Sequence, residues 1–158
     1  MPPSDRIDRQ TPQDQWDQPA PFIWEVAVEK GDIDDFRHTN NTIYLNWMGE
    51  TAWAHSKALG IDFETYRRLN RGMVVRRHEM DYLAPALEGE RIQIGTWITG
   101  NDARLRLIRH FQMRNAETGV TLFRGMTEFV CINMETGKPV RMPSEFVATY
   151  ALTGKPPG

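Results

Sequence analysis

The chain has 158 residues, 40% of them hydrophobic and 25% charged, and a formal net charge of −2. That is enough for one domain with a real core, and the near balance of charge excludes a protein built mainly to neutralise phosphate backbones, so no nucleic-acid partner is expected. A single cysteine, Cys131, excludes an intrachain disulfide.

Taken in order, residues 1–20 are rich in Pro, Asp, Gln and Arg, with Trp16 as the only aromatic. Such a stretch buries too little apolar surface to fold alone and is expected to be a flexible tail. Residues 22–29 read as a strand, with Trp24, Val26 and Val28 on one face by the two-residue period. A polar stretch follows, from Gly31 to Asn41. A helix is expected from Asn41 or Thr42 to Leu59, with Gly60 as its stop. Tyr44, Met48, Ala52, His55 and Leu59 form its apolar stripe. Leu45, Trp47 and Trp53 widen that stripe, so the helix should be wrapped by other structure. Residues 61–70 suit a short helix ended by Arg71-Gly72.

From Met73 onward the pattern is that of strands: residues 73–83, 91–99, 104–114 and 120–133, separated by turn signals. In the third of these, Leu105, Leu107, Phe111 and Met113 alternate with Arg104, Arg106, His110, Gln112 and Arg114, and Ile108 and Arg109 break the alternation. Residues 144–152 suit a terminal helix. The order of strand, long apolar helix and four consecutive antiparallel strands is that of an α+β protein with one helix against a sheet. One domain spans residues 21–152, with a short tail at 153–158. No run approaches the roughly 20 apolar residues of a membrane span, and the N-terminal stretch lacks the apolar core of a secretory signal. The chain is therefore expected to be cytoplasmic.

The polar stretch concentrates the candidate chemistry. Asp32, Asp34, Asp35, His38, Asn40 and Asn41 all precede a helix start, where unpaired N–H groups create a positive potential. As a calcium loop it fails, because Arg37 stands where a glycine is needed and Ile43 where a bidentate Glu is needed. His78-Glu79 begins like a zinc-protease signature, but Tyr82 stands in place of the second His. Phosphate-loop, dinucleotide and Gly-x-Ser-x-Gly motifs are missing from the sequence. No metal and no cofactor are expected. What remains is a carboxylate beside a helix N-terminus. Backbone N–H groups among residues 40–43 can stabilise the oxyanion formed when a carbonyl is attacked, and a carboxylate can supply the attack or the proton transfer.

Asp32-x-Asp34-x-x-x-His38-x-Asn40-Asn41, followed by Tyr44-Leu45 and Trp47, resembles the signature of hotdog-fold acyl-CoA thioesterases of the 4-hydroxybenzoyl-CoA thioesterase-like group. Downstream, Leu59-Gly60-Ile61, Asp81-Tyr82-Leu83-Ala84-Pro85-Ala86 and residues 136–143 are similar to later segments of that family, in the same order. The resemblance covers about residues 22–143. It implies a hotdog fold, an antiparallel sheet wrapped around one long central helix. It implies a homodimer or dimer of dimers with sites at the subunit interface. It also implies an acyl-CoA or acyl-carrier-protein thioester as substrate, with coenzyme A part of the substrate rather than a cofactor. Asp34 falls on the family's catalytic aspartate, as nucleophile or general base. His38 is expected to orient or polarise the site. Asn40 or Asn41 is expected to cap the helix, and both, with Tyr44, are expected near the substrate. Glu50, at mid-helix, is the reserve catalytic candidate, since some hotdog enzymes carry their carboxylate there. One departure stands out: Arg37 occupies a position where the family usually has Gly. It keeps a second reading in view, a non-catalytic acyl-binding hotdog protein or a subunit of a larger complex.

Overall fold

The long apolar helix needs something to bury it, and a five-stranded sheet supplies it. The computed structural model describes residues 15–157. Strand β1 (Phe22–Ala27) leads through a 3-10 turn (Lys30–Asp32) and the polar loop to helix α1 (Asn41–Ala58). Helix α2 (Phe63–Leu69) follows, then β2 (Arg71–Tyr82), β3 (Arg91–Asn101), β4 (Arg106–Asn115), β5 (Thr121–Asn133) and α3 (Ser144–Thr149). The strands form one antiparallel sheet in the order β1-β3-β4-β5-β2. This is the expected α+β arrangement, and β1 and β2 form the sheet edges.

The ends of α1 follow local chemistry. Asn40 caps its start: Oδ1 accepts from the Thr42 N–H at 3.0 Å. At the other end Gly60 takes φ +95°, and Ile61 N donates back to Ser56 O at 2.8 Å. The buried face runs through Tyr44, Trp47, Met48, Thr51 and His55. Thr51 replaces Ala52 in the expected stripe, and Leu59 is exposed. Helix α2 ends at Leu69, one residue short of the expected Asn70, because Asn70 adopts the left-handed conformation (φ +50°) and Arg71 already pairs with Asn133 in the sheet.

Two packed groups flank the middle of α1. Tyr44, Trp47 and Met48 meet Ile92, Ile94, Phe111, Met113 and Phe123. Towards the far end, Ile61, Tyr66, Phe146 and Tyr150 close over Met73, Ile98, Leu107 and Cys131. In β4, Arg109 does not interrupt the alternation. It shares the face of Leu107, Phe111 and Met113 and is 1% exposed.

The opposite face of the sheet carries residues of both expected tails. Trp16 packs edge-on against Trp97 at 6.2 Å, and the Arg114 guanidinium lies 4.1 Å above its ring. A Cβ at Gly95 would sit 2.8 Å from that indole, so only glycine leaves room for it. Asp17 pairs with Arg124 through both carboxylate oxygens, at 2.7 and 2.9 Å. Thr153 N and Gly154 N both donate to Ile98 O. The remainder of the expected tails, residues 1–14 and 158, lies outside the described residues.

Candidate active site

The polar loop is closed from within by its second aspartate. Asp34 Oδ1 accepts from Phe36 N at 2.9 Å and His38 N at 3.3 Å, while Asp34 N donates to His38 O at 2.9 Å. Arg37 N returns to Asp34 O at 3.0 Å. This tight path forces Arg37 to φ +62°, the left-handed region where glycine is most at ease. Asp32 works one turn earlier: its Oδ2 accepts from Glu29 N at 2.9 Å.

Thr39 ties the loop to the β2–β3 connection. Its hydroxyl and its N–H both donate to Ala86 O, at 2.9 and 3.0 Å. Tyr44 holds the same residue from the helix, its hydroxyl accepting from Ala86 N at 3.0 Å. Burial is the main reason that the Tyr44 phenol is held above its ordinary pKa. Tyr82 donates from its hydroxyl to Asn41 O at 3.0 Å. The result is a surface depression of about 350 Å³ at the N-terminus of α1, lined by Asp34, His38, Asn41, Tyr44, Tyr82 and the 83–85 segment.

Four of the expected site residues, Asp34, His38, Asn41 and Tyr44, line this depression together. Asn40 does not line it; its side chain is turned to Thr42, bonding both the N–H and the hydroxyl at 3.0 Å. Glu50 lines a different depression, with Phe22, Trp24, Trp53 and Phe63. The backbone donors at the helix start are mostly spent: Asn40 N on Asp32 O, Thr42 N on Asn40 Oδ1 and Ile43 N on Asn40 O. Among the described residues, the Asn41 N–H is the one left for an anion.

A second cavity, of about 270 Å³, lies between α1 and the sheet, with Met48, Ala52, Tyr66, Leu107, Phe111 and Phe129 among its apolar walls. One wall is polar and buried. Arg109 donates from Nη1 to His55 Nδ1 at 2.6 Å and from Nη2 to Ser56 Oγ at 3.1 Å. Ser56 Oγ also bonds the Tyr150 hydroxyl at 3.0 Å, and Tyr66 stands 3.4 Å from that hydroxyl. A guanidinium has no acceptor, so His55 Nδ1 is unprotonated and the imidazole is neutral. Burial, helped by the Arg109 charge, pushes His55 down to about 4, and burial lowers Arg109 to about 10, which still leaves it charged at neutral pH.

The sequence singles out neither Thr39 nor His55 as a site residue, and it offers Arg109 only as one of several arginines that could meet the phosphates of coenzyme A. Arg109 had a visible signal, the break in an otherwise alternating strand. His55 had one as well, an ionisable side chain on an apolar helical stripe. Thr39 had none, because its partner Ala86 is 47 residues away. Among the described residues, no group of three or more His, Cys, Asp or Glu side chains converges as a metal site. No helix among them is long and apolar enough to cross a membrane.

Comparison with known proteins identifies a family and a fold. A family model described as the thioesterase-like superfamily matches residues 28–149. A chloroplastic acyl-acyl carrier protein thioesterase of Arabidopsis thaliana is 22% identical over 128 residues, 80% of this chain and 65% of that protein. The chain therefore spans about 65% of the length of that curated relative. A 1,4-dihydroxy-2-naphthoyl-CoA thioesterase from Synechocystis has a similar structure (TM-score 0.75, 20% identity, 83% of this chain and 96% of that one). So does a Staphylococcus aureus protein solved in complex with CoA (TM-score 0.76, 17% identity, 82% and 81%). At these identities the structures establish a shared hotdog fold.

Proposed function

The chain belongs to the thioesterase-like superfamily, and we propose that it hydrolyses acyl thioesters of coenzyme A or of an acyl carrier protein, with Asp34 as the catalytic carboxylate. The observation that carries this reading is the convergence of Asp34, His38, Asn41 and Tyr44 on one depression at the start of an 18-residue helix. A thioester carbonyl seated there would meet the Asn41 N–H and the positive end of α1, which stabilise the oxyanion without reorganisation. Asp34 has one carboxylate oxygen held by two backbone N–H groups. The other has no hydrogen-bond donor among the described residues, which suits it to attack the carbonyl or to activate a water. A thiolate leaves readily, so a single carboxylate suffices. His38, exposed at the rim, orients the substrate.

Two copies of the chain form the working unit. Edge strand β2 presents Val74 and Val75 to solvent, and a second β2 edge would pair with it and cover them.

The test is free-thiol release from a panel of acyl-CoA and acyl-carrier-protein thioesters. Asp34→Asn, which keeps the size of the side chain, is expected to lower kcat by at least ~100-fold. Undiminished turnover by the variant would remove Asp34 from the chemistry. Tight binding with no thiol release from any thioester would point instead to an acyl-binding protein. Single-turnover hydrolysis in heavy-oxygen water probes the role of Asp34: label in its carboxylate marks an acyl-aspartyl anhydride that water opens at the Asp34 carbonyl, and so a nucleophile.

A further inference from the structure

Arg109 is the one buried arginine on the helix side of the sheet, and no ion pair neutralises it among the described residues. Its partners, His55, Ser56 and the Tyr150 ring 5.7 Å away, are all neutral. They engage both terminal nitrogens but leave its charge uncompensated. The last turn of α1 offsets part of that charge through its carbonyl dipoles. The one buried carboxylate of the described sheet, Glu128, does not help. It is one position beyond Thr127, the cross-strand partner of Arg109, so it points to the other face, and it already bridges Arg76 and Arg106 at 2.6 and 3.4 Å. A buried cation without an anion is costly unless an anion arrives. This one lines an apolar cavity with an open side.

We propose that the cavity between α1 and the sheet takes the acyl group of a thioester whose far end carries a carboxylate, and that Arg109 is the residue that selects it. This rests on the hydrolase reading above and narrows its substrate class. The apolar walls suit a methylene chain, and about 270 Å³ is at the small end of ligand cavities, which suits a short one. The helix also decides which Asp34 serves this pocket. His55 stands fourteen residues after Asn41, roughly 20 Å along α1 at 1.5 Å per residue. An acyl chain short enough for the cavity does not span that length. The open side of the cavity is bounded by Gly49 and Trp53 of α1 and by Val75 of the β2 edge, all exposed. A second copy paired along β2 lies over this mouth. The thioester then sits at Asp34 of one copy, and the distal carboxylate reaches Arg109 of the other.

Two non-hydrolysable thioethers of equal chain length, carboxypentyl-CoA and hexyl-CoA, test this by titration calorimetry. The wild-type protein is expected to bind the carboxylate-ended compound at least about tenfold more tightly, about 1.4 kcal/mol, and Arg109→Met to erase the difference. Should Arg109→Met not fold, Arg109→Gln, which keeps a donor for Ser56, takes its place. Equal binding, tighter binding of hexyl-CoA, binding of neither compound, or a preference that survives loss of Arg109 would each overturn the proposal. Thiol release from plain and carboxyl-ended acyl-CoAs is measured alongside. Release without a carboxyl preference removes this proposal alone, whereas carboxyl-selective binding with no release from any thioester removes the hydrolase reading alone.

Discussion

Arg37 shows how one residue can hold a conformation against its own preference. An L-residue at φ +62° costs about 1 kcal/mol relative to its relaxed backbone. The loop holds it there because the Asp34 carboxylate and three backbone bonds close the turn around it. Arg37→Gly is therefore expected to stabilise the protein by up to about 1 kcal/mol, read as a shift in the urea midpoint. A loss of stability would show that the arginine side chain makes a compensating contact. His55 makes a second residue-scale case. Phe22 stacks on its ring at 4.8 Å, Arg109 approaches from β4, and no carboxylate pairs with it among the described residues. Its pKa falls from 6.5 to about 4 on folding. The unfolded chain thus binds the extra proton first, so this contribution is complete above pH 6.5 and is lost as pH falls towards 4. It amounts to at most about 3 kcal/mol. Thermal melts between pH 4 and 7 should show this acid limb, and His55→Gln should flatten it.

At the scale of the element, α1 does two jobs through its two ends. Its start holds the polar loop and leaves one N–H free; its last turn holds Arg109. Asn40 is the structural pin of the first end. Asn40→Ala is expected to lower stability by about 1 kcal/mol, as loss of an N-cap does, with little change in KM. A large rise in KM at unchanged stability would make Asn40 a substrate ligand instead. The bounds of α1 were legible in the sequence because an Asn cap and a Gly stop act locally. The end of α2 falls one residue earlier than the sequence predicts, because Asn70, and not Arg71-Gly72, stops the helix by taking the left-handed conformation. In β4, the apparent break at Arg109 arose from reading charge as exposure. The strand alternates normally, and the residue is charged on the inside.

For the whole molecule, the exposed β2 edge and the open cavity beside it are the two features on which the proposed second copy rests. The chain is expected to sediment as a dimer or a multiple of it. Mixed dimers test the sharing of sites. Asp34→Asn and Arg109→Met chains, co-expressed with two different tags and purified through both, leave one site with both residues intact and one with neither. Their activity on a carboxyl-ended thioester is expected to be about half that of wild type, while each variant alone is poor. If the mixed dimer does no better than the variants alone, Asp34 and Arg109 act within one chain or do not act together.

The sequence by itself determined the order of elements, the helix and its caps, and the polar loop at the helix start, all of which depend on neighbours within a few residues. It also carried the resemblance that pointed to thioester chemistry. Only the tertiary structure decided which side chains meet across long separations. Thr39 grips Ala86, Arg109 meets His55 across 54 residues, and Trp16 finds the gap above Gly95. The physical reason is that hydrogen bonding and burial depend on distance in space, and a strand's register, with its bulges, must be set before a residue such as Arg109 has an inside to face.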